Sequence, residues 1–179
     1  MFIKINKIKL NYIKKGNGPN AIFLHGVFGD LRGYNKFINT ISKKYCVYAF
    51  DLPMHGKSDI PKQYLSLEDL IKLLESFVKK FKIKNPSIFA HSGGGLIAIK
   101  YASKNRIKEL VLINSAGLSL DKTKVSPYYV LKGTLNSFIN CKGKKSFFYL
   151  IFSGIITYLK NLFNKNFWRL FNECKSLDL

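Results

Sequence analysis

Residues 86–102 constrain the fold of this chain more than any other segment. Pro86 to Ala90 has the length and apolar character of a short buried strand, and Leu96 to Ala102 continues as a helical run. The turn between them, His91-Ser-Gly-Gly-Gly95, is so short that it needs small residues and forces Ser92 into a strained, exposed position. The helix N-terminus beside Ser92 can stabilise developing negative charge through its backbone N–H groups and dipole. The segment therefore predicts a strand–turn–helix unit that carries a candidate nucleophile.

The other predicted elements repeat this alternation of strand and helix. Residues 2–13 alternate between apolar and polar and predict an antiparallel pair, with Asn6-Lys7 and Asn11 as possible turn points. Apolar strands are predicted at 21–24, 45–50, 86–90 and 110–113, with helices at 34–44, 67–81 and 96–102. Ser66 followed by Asp69 predicts a capping box for the second helix. Continuous apolar strands alternating with helices predict an α/β fold with a mostly parallel sheet covered on both faces.

The composition changes after about residue 118, which divides the chain into two predicted parts. Residues 1–118 are expected to form the α/β core, whereas 119–179 are rich in aromatic residues, lack clear strands and predict a helical lid. The most apolar stretch, 147–159, is shorter than the roughly 20 residues that a membrane span needs. A minor alternative is an interfacial helix on a membrane surface, flanked by Lys142, Lys144, Lys145 and Lys160.

The formal net charge of +20 comes almost entirely from lysine and is spread along the chain. Residues 1–118 contain 20 basic and 7 acidic residues, and 119–179 contain 10 and 3. Lysine-rich charge without a recognised binding motif predicts no nucleic-acid partner. The three cysteines are odd in number and irregularly spaced, and the N-terminus does not resemble a signal peptide, so we expect a reducing cytoplasm. No metal and no organic cofactor are expected.

Three motifs follow three of the predicted strands. They are His25-Gly-Val-Phe-Gly29, the loop from Asp51 to Asp59, and Ala90-His-Ser-Gly-Gly94. Each motif alone is a weak signal, but all three in this order, each directly after an apolar strand, are a strong one. On these motifs the chain resembles the α/β-hydrolase family over about residues 2–118.

The resemblance implies a serine hydrolase that acts on a small-molecule acyl substrate, such as an ester or an amide. Ser92 would be the nucleophile, and the backbone N–H groups of Val27 and Gly93 would form the oxyanion hole. His25 and Gly26 would support the oxyanion loop.

Two residues of the turn depart from the family's commonest pattern. Ala90 replaces the commonest glycine and is small enough for the turn. Gly93 stands where a larger residue is common, which affects the shape of the pocket, because the family uses only the backbone N–H there.

The acid and the histidine of the family's triad usually follow later strands, which this sequence lacks. The match therefore covers only the N-terminal two-thirds of the family, and the core is expected to be incomplete. We expect structural roles for His25, His55 and His91, and we expect Asp51 and Asp59 to hold their loop together. Two alternatives stay open at this point: a non-catalytic protein that binds a small ligand on the same frame, and one half of a split enzyme completed by a second chain.

Overall fold

A computed structural model describes residues 1–115 together with Asn166 and Arg169. The predicted lid at 119–179, including the apolar stretch 147–159, lies outside the described residues apart from those two. The predicted boundary near residue 118 lies outside them as well.

The sheet is mostly parallel, as the sequence predicts. Its strands are β1 (Phe2–Ile5), β2 (Ile8–Lys15), β3 (Asn20–Leu24), β4 (Cys46–Phe50), β5 (Ser87–His91) and β6 (Glu109–Ile113). They lie in the order β1-β2-β4-β3-β5-β6. β1 and β2 form the predicted antiparallel hairpin and β2 runs antiparallel to β4, whereas β4, β3, β5 and β6 pair in parallel. The carboxyl ends of these four strands therefore meet at one edge of the sheet.

The helices among the described residues are α1 (Asn35–Ile41), α2 (Leu67–Lys80) and α3 (Gly94–Lys104). The predicted range 34–44 for α1 is too long, because the backbone N–H groups of Lys43 and Lys44 bond to residues three positions earlier and close a turn instead of continuing the helix. α3 begins two residues before the predicted Leu96.

The predicted capping box of α2 is present in full. Ser66 Oγ accepts a hydrogen bond from the Asp69 N–H, and the Asp69 carboxylate accepts one from the Ser66 N–H. The apolar stripe behind the cap is buried against the sheet and includes Leu70, Leu74 and Phe77. Capping satisfies N–H groups that the first turn leaves unpaired, and burial of the stripe fixes the helix on one face of the sheet.

Alternate residues of the central strands pack into cores on opposite faces. Ile22 and Ile88 belong to the cluster that includes α2 and α3, whereas Phe23 and Phe89 belong to the cluster beside α1. Both faces of the parallel sheet are therefore covered, which holds the ends of β3, β4 and β5 in a fixed relation.

Candidate active site

Ser92 occupies the turn between β5 and α3 in a left-handed backbone conformation, with φ of +49°. This conformation costs about 1 kcal/mol for a residue with a side chain. Two hydrogen bonds hold the turn in place, from the Ser92 N–H to Ile113 O at 3.1 Å and from the Gly95 N–H to Ser92 O at 2.9 Å. Ser92 is half-buried, and its Oγ makes no hydrogen bond within residues 1–115. The turn predicted from the sequence is therefore present, with an available hydroxyl at its tip.

Glycines let the loop after β3 approach this turn closely. A Cβ atom added to Gly26 would lie 2.9 Å from Ser92 Cβ and 3.4 Å from Ser92 Oγ. A Cβ added to Gly94 would lie 2.6 Å from His25 O. The contacts below 3.0 Å are closer than a real Cβ tolerates, so Gly26 packs directly against the Ser92 side chain and Gly94 against the backbone of Leu24 and His25. The same constraint explains why α3 begins with glycines, which a search for apolar periodicity does not detect.

Val27 and Gly93 lie against each other beside Ser92. A Cβ on Gly93 would lie 2.4 Å from Val27 Cγ2 and 3.5 Å from Val27 N. Neither backbone N–H donates a hydrogen bond to another residue in the part of the chain that the structure describes. The fold thus brings together the two amides and the hydroxyl that the sequence singled out.

His25 is fully buried and acts as a bridge between two loops. Its Nε2 accepts a hydrogen bond from the Leu52 N–H at 2.9 Å, so the proton of the neutral ring is on Nδ1, which donates to Gly26 O at 2.8 Å. Burial lowers the pKa of His25 and outweighs the opposing effect of the Asp51 charge, which keeps the ring neutral. His25 therefore fixes the peptide that precedes Val27.

His55 contacts the same loop from the side of β4. Its Nδ1 lies 2.8 Å from Pro53 O, and its Nε2 is in hydrogen-bond contact with Val27 O. Burial, and next the neighbouring His25, lower the pKa of His55 to about 4. The neutral His55 ring carries one N–H and so donates to one of these two carbonyl oxygens, while the N–H of Val27 lies against Gly93.

His91 precedes Ser92 but is hydrogen-bonded elsewhere, in agreement with the structural role expected for it. Its Nδ1 and the Tyr34 hydroxyl are 2.8 Å apart. Burial raises the pKa of Tyr34 to about 12 and lowers that of His91. The sequence predicts Tyr34 only as the first residue of a helix and indicates no role for it near Ser92. No local pattern indicates a contact between residues 57 positions apart.

Asp51 organises the loop after β4. Its carboxylate is 2% exposed and accepts hydrogen bonds from the Leu31 N–H at 2.8 Å, Asn11 Nδ2 at 2.7 Å and the Lys57 N–H at 2.9 Å. Asp59 is exposed, and its carboxylate accepts a bond from the Lys9 N–H at 2.8 Å. Both carboxylates hold the loop as the sequence predicts.

Asp30 and Arg32 form an ion pair in the loop that follows Gly26, and the sequence did not indicate it. Arg32 Nε lies 3.0 Å from Asp30 Oδ2. Burial would raise the pKa of Asp30, but the hydrogen bonds and charge of Arg32 outweigh it, so the net shift is downward. Asp30 therefore stays ionised and closes this loop.

The described residues contain no group of three or more His, Cys, Asp or Glu side chains placed to hold a metal ion. None of their helices is long and apolar enough to cross a membrane.

A mostly parallel, doubly covered sheet with a serine on a strained turn between strand and helix defines the class of this protein. The sequence profile of the α/β hydrolase fold matches residues 20–171, which is most of the chain. The chain therefore belongs to the α/β-hydrolase fold family.

Individual relatives agree with this assignment. A protein of Mycoplasma pneumoniae named as an esterase/lipase is 36% identical over 94 residues, which cover 50% of this chain and 35% of that protein. The cis-3-alkyl-4-alkyloxetan-2-one decarboxylase of Shewanella oneidensis is 27% identical over 154 residues, covering 82% of this chain and 48% of the enzyme. The crystal structure of a bacterial membrane phospholipase A aligns with a TM-score of 0.75 at 17% identity, covering 97% of this chain and 61% of that one. The chain thus spans less than half the length of these two curated relatives.

Proposed function

We propose that the chain is the part of a serine hydrolase that carries the nucleophile, with Ser92 attacking an ester, an amide or a similar acyl substrate. The observation that carries the proposal is the left-handed Ser92 at the start of α3, whose Oγ makes no hydrogen bond within residues 1–115 and lies beside Gly26. This arrangement resembles that of serine nucleophiles that form acyl-enzymes.

The chemistry follows from the positions of three groups. Ser92 Oγ forms a bond to the acyl carbon and gives its proton to a base, while the carbonyl oxygen becomes an oxyanion. The N–H groups of Val27 and Gly93 donate hydrogen bonds to that oxyanion, and the N-terminal end of α3 adds its dipole. The bond to the leaving group then breaks with proton transfer to it, and water later hydrolyses the acyl-enzyme.

The proposal requires a histidine from outside residues 1–179, and we infer that the acid that orients it comes from outside them as well. All the histidines of the sequence are His25, His55 and His91, and each has ring partners other than Ser92. A continuation of the same polypeptide, or a second chain in a split enzyme, could supply the missing base. We propose a small acyl compound as the substrate and no narrower class, because the relatives are named for different reactions. The cytoplasmic location and the lack of a nucleic-acid partner remain predictions from composition.

Covalent labelling by a fluorophosphonate probe tests the proposal. The chain is compared with a longer polypeptide encoded by the sequence downstream of the Leu179 codon, and the labelled peptide is identified by mass spectrometry. We expect the longer protein to be labelled at Ser92 and to hydrolyse a short acyl ester, and Ser92→Ala to abolish both. Ser103→Ala removes an exposed serine of α3 and serves as the matched control. Labelling of another residue would argue against the proposal. A continuation without a histidine would exclude the same polypeptide as the source of the base and leave the second chain of a split enzyme.

A non-catalytic role in binding a small acyl ligand is the second candidate. The engagement of all three histidines in other hydrogen bonds favours it, because a serine without a base is a weak nucleophile at neutral pH. This role predicts saturable ligand binding without turnover. Hydrolysis that Ser92→Ala abolishes would exclude it.

A further inference from the structure

The outer face of the β1–β2 hairpin combines an aromatic side chain with lysines. In the register of the hairpin, Lys4 lies directly opposite Lys9, and both share a face with Phe2. The alternate residues point the other way, and Ile5 and Leu10 are buried in the core. Phe2 is 52% exposed, and the Lys9 ammonium lies 4.3 Å from the centre of its ring. We call Phe2, Lys4, Lys7 and Lys9 the hairpin patch.

Among residues 1–115, the cations of the hairpin patch outnumber the acids around them. Like charges directly opposite each other on neighbouring strands are destabilising, so the Lys4–Lys9 pair weakens the hairpin unless an anion lies over it. The patch borders a shallow concavity of about 420 Å³, and the acid in its lining is Asp59. The Asp59 carboxylate accepts its hydrogen bond from the backbone of Lys9. The ion pairs within the described residues involve Arg32 and Lys104 and leave these three lysines out.

The hairpin patch is held in a fixed shape. Asn6 and Lys7 both have positive φ, of 48° and 69°, which makes the tight turn that projects Lys7. The turn is tied to α2 by a 3.1 Å hydrogen bond from Asn6 Nδ2 to Ser76 Oγ. Lys9 and Asp59 also exchange a pair of bonds through the Lys9 carbonyl and the Asp59 N–H. Binding at this surface would therefore lose little conformational freedom.

We propose that the hairpin patch docks this protein on the surface of an anionic lipid bilayer. Clustered lysines are attracted to the negative surface potential of such a bilayer, and an exposed aromatic ring beside them can enter the headgroup region. An exposed ring next to lysines, without an arginine on the hairpin to bind phosphates bidentately, fits a bilayer better than a nucleic acid. The surface is separate from Ser92, so the proposal does not depend on catalysis.

Vesicle binding by the full chain tests the docking surface. The vesicles are phosphatidylcholine alone or with about one third phosphatidylserine, and binding is measured by cosedimentation over a range of salt concentrations. We expect binding only to the anionic vesicles. The triple variant K4Q/K7Q/K9Q should bind on the order of 100-fold more weakly. The matched control K84Q/R106Q/K108Q removes the same charge from exposed residues near the opposite edge of the sheet and should change binding far less.

Further variants separate the possible outcomes. Phe2→Ser should weaken binding several-fold while leaving its salt dependence unchanged, because it removes apolar contact and no charge. The single variant Lys4→Gln gives a smaller loss of the same kind and covers the case in which the triple variant does not fold. The proposal is overturned if the two triple variants lose binding equally, or if neutralising Lys142, Lys144 and Lys145 abolishes binding while the hairpin variant retains it. Tighter binding to an oligonucleotide than to vesicles would also overturn it.

Discussion

Replacement of Asp51 is the most direct test of how the loops around Ser92 are held. The carboxylate links three segments, since its donors are Asn11 in β2, Leu31 in the loop after β3, and Lys57 in its own loop. Gly56, with φ of +50°, packs so closely on it that an added Cβ would lie 2.1 Å from Asp51 Oδ2. The site therefore fits a planar group of this size, and Asn can replace Asp without a steric conflict.

The cost of the change follows from the number of donors left without an acceptor. A hydrogen bond to a charged group contributes about 1.5–3 kcal/mol, and a buried donor left unpaired costs a further 1–3 kcal/mol. Asp51→Asn keeps one acceptor oxygen but turns an NH₂ group toward at least one N–H donor. We expect it to lower the free energy of unfolding by about 2–3 kcal/mol. Asp51→Ala removes both oxygens, and we expect a loss of about 4 kcal/mol, because water can reach the half-buried Asn11 and the exposed Lys57 but not the buried Leu31.

Urea unfolding of the full chain followed by circular dichroism measures these changes. Asp59→Asn is the matched control, since Asp59 belongs to the same loop but is exposed, and it should change the free energy of unfolding by less than about 1 kcal/mol. Equal losses for Asp51→Asn and Asp59→Asn would refute the reasoning. So would a loss below about 1 kcal/mol for Asp51→Ala with an unchanged m-value.

Three other predictions concern the turn at Ser92 and its neighbours. The free energy of unfolding of Ser92→Gly should be about 1 kcal/mol higher than that of Ser92→Ala, because glycine adopts positive φ without strain. Chemical denaturation of the two variants checks this. Gly93→Ala should destabilise by about 1–3 kcal/mol through the contact with Val27 Cγ2, and the double variant with Val27→Ala should recover most of that loss in a double-mutant cycle. The fold lowers the pKa of His55 to about 4 and so favours the neutral ring. The contribution of His55 to the free energy of unfolding is therefore complete above its pKa in the unfolded chain, near 6.5, and is lost as the pH falls through 4. The stability of wild type should therefore fall by about 3 kcal/mol more than that of His55→Gln over this range, and parallel pH profiles would contradict the assignment.

The sequence predicted the elements whose signals are local. The four parallel strands are continuous apolar runs, and the capping box at Ser66 and Asp69 needs only the order of neighbouring residues. The turn at Ser92 was predictable for the same reason, since only five small or polar residues separate the predicted strand from the predicted helix and a tight turn must connect them. The backbone geometry of each of these features is determined by a few residues that are close in sequence.

Contacts between distant segments could not be predicted in this way. The Tyr34–His91 hydrogen bond depends on how α1 packs over the end of β5, and the early start of α3 depends on the close approach of Gly94 to the carbonyl of His25. The donors of Asp51 come from residues 11, 31 and 57, which only the strand order brings together. Apolar periodicity carries information about which face is buried, but none about which polar groups meet across loops.

The backbone carbonyls of Gly26 and Val27 both contact buried histidine side chains. His25 Nδ1 donates to Gly26 O, and His55 Nε2 contacts Val27 O. Both imidazoles are buried and have lowered pKa values, so neither brings a charge close to the proposed oxyanion hole at neutral pH. The proposed oxyanion hole consists of backbone amides. Its geometry therefore depends on the two neutral histidines that contact this backbone, and not on a side chain that contacts the substrate. Substitution of His25 or His55 should therefore lower the rate of Ser92 acylation without altering the nucleophile itself, which distinguishes positioning residues from a catalytic base.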